Sequence, residues 1–310
     1  MKTTILLSFI ALLFVGSNCS SWAQNKLQLN LQKGVVYSQS MQSKYLTTTT
    51  VENEHMDMEV QVSCDISYEV LEVLDSSYHL EVWYETMSMS IKSPEVSMNF
   101  SSELEQENDL LSNILGAMVM EPFEVKLNKQ GKVLEVKNIE NLFNSALDEA
   151  GLDPIDRENI KAQLKQSFGD ESLKGNIEMI TAIFPKNDVA IGDKWSVKSN
   201  MKSIIEVGVT TTYELKQVTP EEYIIQGYAK TDTENNLEYI KMRDVYTNYN
   251  MSGITVSEFR INRKSGWMNS ATMDQEINGI VKSKKDLKSA VLNVIKIKMK
   301  GQILMTGKAS

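Results

Sequence analysis

The twelve residues Glu59–Val70, "EVQVSCDISYEV", alternate without a fault. Val60, Val62, Cys64, Ile66, Tyr68 and Val70 fall on one side; Glu59, Gln61, Ser63, Asp65, Ser67 and Glu69 fall on the other. Successive side chains of an extended chain point to opposite faces, so this run dictates a strand with one face buried and one wet. Half-wet strands belong to antiparallel sheets, because parallel ones are covered on both sides. The device returns in Ile205, Val207, Val209, Thr211, Tyr213 and Leu215. It recurs in "IKIKMK", where Ile295, Ile297 and Met299 oppose Lys296, Lys298 and Lys300. Strands of this length suit a strongly curved sheet or half-barrel.

One strand breaks the pattern. In "YHLEVWYETMSMSI" (Tyr78–Ile91), Leu80, Val82 and Tyr84 share a face, while Trp83, Met87, Met89 and Ile91 occupy the other. Either a bulge near Glu85–Thr86 swaps the faces, or both faces are covered, one by the core and one by a helix or ligand.

Helical spacing is confined mainly to the middle. Ile139, Leu142, Phe143, Ala146 and Ala150 form a stripe between Asn138, a suitable N-cap, and Gly151. Asp153 and Pro154 then open a second helix, in which Ile160, Leu164 and Phe168 follow at four-residue steps up to Gly169. A third helix is expected near Ser172–Ile183 and a short one near Asp109–Met118.

Two distant stretches paraphrase each other: "FEVKLNKQGKVLEV" (Phe123–Val136) and "SEFRINRKSGWMNSA" (Ser257–Ala271). Upstream, Gly34 precedes Tyr37 as Gly192 precedes Trp195, each ahead of a Thr-rich alternating strand. A Tyr-Glu strand follows in both, then a turn (Asp75–Ser77, Thr219–Glu221) and an aromatic strand. The economical explanation is an internal duplication. The fold class expected is mainly β (α+β): two related antiparallel, curved, half-barrel-like lobes, joined and covered by a helical segment. The divisions expected are 1–23 as signal peptide, 24–138 as N-terminal lobe, 139–183 as helical connector and 184–310 as C-terminal lobe.

The stretches "VAIGDKW", "VKLNKQGKVLEVKNIENLF" and "LNLQKGVVY" give the chain a family likeness. It resembles an uncharacterised family of exported β-rich proteins, a domain of unknown function common in Bacteroidota. The resemblance implies export and a two-lobed β architecture, and brings no catalytic residue with it.

The leading residues "MKTTILLSFIALLFVGSNCSSWAQ" read as a secretory signal peptide. Lys2 supplies the charge, Ile5–Val15 the apolar stretch, and Ser21 and Ala23 the small residues before cleavage. Cleavage is expected after Ala23, placing the protein in the periplasm or outside the cell. The alternative is an outer-membrane lipoprotein anchored through Cys19, although "VGSN" ahead of it lacks the usual leucine and small residue. No later apolar run reaches the ~20 residues of a membrane-spanning helix. With the signal removed only Cys64 remains, so no internal disulfide is expected and stability must come from burial. A net charge of −9 repels nucleic acid and anionic lipid.

Little here points to catalysis. The two histidines, His55 and His79, and the single remaining cysteine make no metal-ligand cluster or nucleophilic triad. Cys64 lies on an apolar strand face, where a thiol behaves as a small hydrophobe. Methionine is abundant, 17 in all, with pairs at Met56/Met58, Met87/Met89 and Met118/Met120. A Met-x-Met pair on a strand could offer soft ligands to Cu(I), but such sites usually add Cys or His, and flexible thioethers equally suit a core or an adaptable groove. The acidic group Glu103, Glu105, Glu107 and Asp109 reads as a solvated face. No catalytic residue, metal or cofactor is expected. The expected role is an exported, non-catalytic protein binding an apolar small molecule, a lipid or an envelope protein, with Trp83, Met87 and Met89 as the lining. The alternatives are a carboxylate-dependent hydrolase of envelope polymers and a structural envelope protein with no small ligand.

Overall fold

The computed structural model describes residues 24–310 apart from 105–108, 150–151, 203–205, 234–237 and 243. The expected signal peptide with Cys19, the helix end at Gly151, Glu105, Glu107 and Ile205 lie outside the described residues. The elements in chain order are β1 (Val36–Val51), β2 (Glu54–Val73), β3 (Ser77–Lys92), β4 (Ser97–Ser101), α1 (Leu110–Met118), β5 (Phe123–Asn128) and β6 (Val133–Lys137). Three helices follow, α2 (Ile139–Glu149), α3 (Pro154–Phe168) and α4 (Asp170–Thr181). The second half holds β7 (Lys194–Lys202), β8 (Glu206–Val218), β9 (Glu222–Asp232), β10 (Ile240–Met242), β11 (Val245–Asn262), β12 (Met268–Lys284) and β13 (Val291–Ala309). None of the described helices is long and apolar enough to cross a membrane.

All thirteen strands form one antiparallel sheet, in the order β6-β5-β3-β2-β1-β13-β12-β11-β9-β8-β7, with β4 on β3 and β10 on β11. The two halves keep the same order: β1-β2-β3-β5-β6 is matched by β7-β8-β9-β11-β12. They share one sheet instead of forming two, because β13 pairs β12 on one side and β1 on the other. That pairing satisfies two strand edges that separate lobes would have left open.

The correspondence between the halves extends to single bonds. Gly34 N–H donates to Val70 O and Gly192 N–H to Leu215 O, each at 2.8 Å. A register shift follows each acceptor, between Val70 and Glu72 and between Leu215 and Gln217. In the basic turns, Asn128 and Asn262 each accept backbone N–H groups on Oδ1, and Gly131 and Gly266 both take positive φ.

The anomalous strand β3 is bulged. Ile66 pairs Tyr84 and Asp65 pairs Thr86, leaving Glu85 as the extra residue. The bulge turns Leu80, Val82 and Tyr84 to the same side as Met87, and all four are buried. Trp83 stands on the opposite face.

The concave side of the first half is filled by helices. Leu142, Phe143, Ala146 and Leu147 of α2, with Ile114 and Met118 of α1, join Leu80, Val82, Phe123, Val125 and Leu127 in one buried cluster. Phe168, at the end of α3, meets Tyr84 edge-on at 6.2 Å. Asp153 caps α3 by accepting from the N–H groups of Ile155 and Asp156. One end of the sheet is floored by residues 25–32: Leu27, Leu29 and Leu31 are buried, Leu29 N–H donates to Lys129 O, and Asn30 N–H donates to Ser265 O. Above this floor Trp267 packs on Tyr37 and Tyr68, at 5.2 and 5.1 Å. The second half has no helices of its own among the described residues, and its concave face is left open.

Candidate functional site: an apolar cavity behind a helix-closed seam

The edge strands β6 and β7 are not hydrogen-bonded to each other; α4 lies across them both. Glu178, on the inner side of α4 and only 6% exposed, accepts from Val133 N–H at 3.0 Å and from Lys132 Nζ at 3.1 Å. Lys132 Nζ also donates to Lys198 O of β7 at 2.6 Å. Thr181 Oγ1 donates to Gly131 O at 2.7 Å, and Trp195 Nε1 donates to Ile183 O at 2.8 Å. One lysine and one carboxylate thus join both lips of the sheet to the helix between them. These contacts also occupy backbone groups of otherwise exposed edges.

Behind the seam is a cavity of about 970 Å³. Its lining is drawn from β1 (Tyr45, Thr47), β2 (Val60), β3 (Met89), α4 (Glu178, Met179), β7 (Val197, Ser199) and β8 (Val209, Thr211, Tyr213). It is completed by β9 (Ala229, Thr231), β11 (Thr255, Ser257, Phe259), β12 (Met273, Gln275, Ile277) and β13 (Met299), with Ala182 beyond α4. Strand register explains how so many elements converge. A single row of cross-strand partners runs Val197–Thr211–Ala229–Thr255–Gln275–Gly301–Tyr45–Val60 through eight strands. Every member except Gly301 lines the cavity.

Gly301 has a reason to lack a side chain. A Cβ there would stand 2.7 Å from the ring of Tyr45, its partner across the sheet. The second half repeats the device: a Cβ on Gly227 would meet the ring of Tyr213 at 2.8 Å. Both tyrosines lie over bare backbone on the inner wall, and burial raises both phenols, that of Tyr213 to about 12. They stay neutral near pH 7.

The chemistry of the lining is apolar with scattered hydroxyls. Glu178 is the only carboxylate among the described lining residues, and its oxygens are already engaged. Among the described residues no group of three or more His, Cys, Asp or Glu could hold a metal ion. His55 bonds to Thr50 at the β1–β2 tip. His79 is 2.9 Å from Glu124 in a recess of about 140 Å³, which Glu72 and Glu135 also line. Cys64, on the inner face of β2, is pushed up to about 11, chiefly by burial.

Of the three residues expected to line a ligand site, Met89 lies at the cavity, Met87 is packed in the core, and Trp83 faces away from both. The remaining lining comes mostly from the second half, on the inner faces of β8, β11, β12 and β13. The period-two pattern already pointed Val209, Thr211, Tyr213 and Met299 inward. It could not say that helices would occupy one concave half and leave the other vacant.

No curated protein matches the chain. Among solved structures it is similar to an outer membrane channel from Pseudomonas putida F1, at 8% identity and a TM-score of 0.24, covering 90% of this chain and 97% of the channel. It is also similar to OccK7 of Pseudomonas aeruginosa, at 5% identity and a TM-score of 0.22, covering 89% and 100%. Neither likeness bears on function at such scores. A family match spans residues 75–268 and with them the paraphrased turns, the helical segment and most strands of both halves. The chain belongs to the family of unknown function DUF6263.

Proposed function

We propose that this protein is an exported, non-catalytic binder of an extended apolar molecule, such as a lipid acyl chain, held in the cavity behind α4. The observation that carries the reading is a space of about 970 Å³ lined mainly by Met, Val, Phe, Ile and Tyr. That volume is at the upper end of the roughly 300–1,000 Å³ typical of small-molecule sites. Each methylene moved there from water contributes about 0.8 kcal/mol. The hydroxyls of Thr211, Thr255 and Ser257 offer a ligand a few polar contacts without a fixed charge. Methionines at Met89, Met273 and Met299 give the wall side chains that adapt to varied shapes.

The hydrolase alternative would need two carboxylates with different proton affinities facing one substrate. The cavity supplies one, and it is held by Lys132 and Val133. The carboxylates of Glu72, Glu124 and Glu135 share only the small recess beside His79.

The test is titration of the purified protein with an environment-sensitive apolar fluorophore, alongside an Ala229→Trp variant. Ala229 is buried on the cavity wall in the middle of the lining row, and an indole there would project across the space between Thr211 and Thr255. Saturable binding by the parent protein, weakened at least about tenfold by the variant, supports the reading. Equal binding by both proteins, or none by the parent, removes it.

A further inference from the structure

We propose that the β12–β13 hairpin docks on the surface of an anionic membrane. The whole chain carries a net charge of −9, yet residues 282–300 hold seven lysines against one acid, Asp286. Lys282, Lys285, Lys288, Lys296 and Lys298 are exposed and have no carboxylate partner among the described residues. Lys284 lies over the ring of Tyr239 at 4.6 Å, and Lys300 pairs with Glu276 at 3.3 Å.

The hairpin tip is apolar. Leu287 and Leu292 are each 57% exposed, Val294 43% and Val291 40%. These side chains have no cover, although the turn that carries them is built firmly. Asp286 Oδ1 accepts from the N–H groups of Lys288 and Ser289, and Ser289 Oγ accepts from Asp286 N–H. The one acid in the segment therefore spends its charge on the turn.

The tip also projects. On the β1 side, the last partner of β13 is Val51, opposite Ile295. Residues Val291–Val294 run on beyond it, about 13 Å at ~3.3 Å per residue. Glu52, in the turn between β1 and β2, and Glu54, which opens β2, are thereby left behind the tip. Unpaired lysines around a protruding apolar end match an interface in which headgroups are anionic and acyl chains lie just beneath. The inner face of the same strands leads back along Ile295 and Ile297 to Met299 at the cavity wall.

The experiment is co-sedimentation of the purified protein with vesicles of phosphatidylcholine and phosphatidylglycerol in equal parts, against vesicles of phosphatidylcholine alone. The expected result is binding to the mixed vesicles only, weakening as salt is raised. Two lysines contribute about fivefold each, so Lys285→Glu with Lys288→Glu should weaken binding by about 25-fold or more. Leu287→Ser with Leu292→Ser should weaken it too, while circular dichroism and fluorophore binding in the cavity stay unchanged. Failure to bind mixed vesicles, or equal binding by parent and variants, overturns the proposal. So does a parent that self-associates through the leucines and ignores vesicles, which would make the tip a contact between copies.

Discussion

Lys132 Nζ lies 3.1 Å from Glu178 Oε2 and 2.6 Å from Lys198 O, and so spans the gap that the sheet leaves open. Removing either partner should loosen the seam, but unequally. Glu178→Ala strands the Val133 N–H but leaves the Lys132 ammonium part-exposed and bonded to Lys198 O, at a cost of about 1–2 kcal/mol. Lys132→Met leaves the Glu178 carboxylate, 6% exposed, without its counter-ion, at a cost of about 3 kcal/mol. Urea midpoints of the two variants measure the difference, with Lys132→Met expected to be the lower.

The position of Met89 on the cavity wall, with Trp83 on the opposite face of the strand, separates two substitutions that sequence alone groups together. Met89→Ala should change the affinity for an apolar fluorophore severalfold. Trp83→Ala should leave it within about twofold, close to the resolution of such a titration. Isothermal or fluorescence titration of both variants decides.

The pairing of Tyr45 with Gly301 predicts a coupled energy. Gly301→Val drives a branched side chain into the tyrosine ring and should cost about 1–3 kcal/mol. In a Tyr45→Ala background the same change should cost less, by at least about 0.5 kcal/mol. A double-mutant cycle by denaturant unfolding reads that coupling directly. Strict additivity would show that the ring does not depend on the bare backbone.

Cys64 should be slow to alkylate at pH 8, because burial holds its thiol near 11, above the ordinary ~8.5. Denaturation should restore normal reactivity. The sign for stability follows from the same shift. Below the ordinary thiol range both folded and unfolded states keep the proton, and the folded state loses nothing. As pH rises from ~8.5 towards about 11 the unfolded state ionises first, so stability falls across that window. A Cys64→Ala variant should lose this part of the alkaline decline.

The strands and the doubling of the chain were legible because each rests on local chemistry. Glu59–Val70 alternates perfectly and forms the middle of β2; Gly34 and Gly192 stand at equivalent turns, and so do Gly131 and Gly266. The capped start of α3 at Asp153 and Pro154 was legible for the same reason. The joining of the halves was not, because it depends on Tyr37 meeting Ala309 and Val51 meeting Ile295 across the length of the chain. No local pattern distinguishes an edge that pairs with its own chain from one that faces water. The cavity was half legible. Its Met89 wall came from the anomaly in β3, whereas Phe259, Met273 and Ala229 look in sequence like any core residue.

The placement of β13 also sets an order of events. The strand at the centre of the sheet follows all the other described strands in chain order, and it pairs with β1, which precedes them. Until β13 is available, β1 and β12 face each other across a missing ribbon, so the sheet cannot close its middle before the residues of Val291–Ala309 have been made. Such distant pairing is slow to find. The interval before it forms is when this protein would be most exposed to proteases and to entanglement with its own copies.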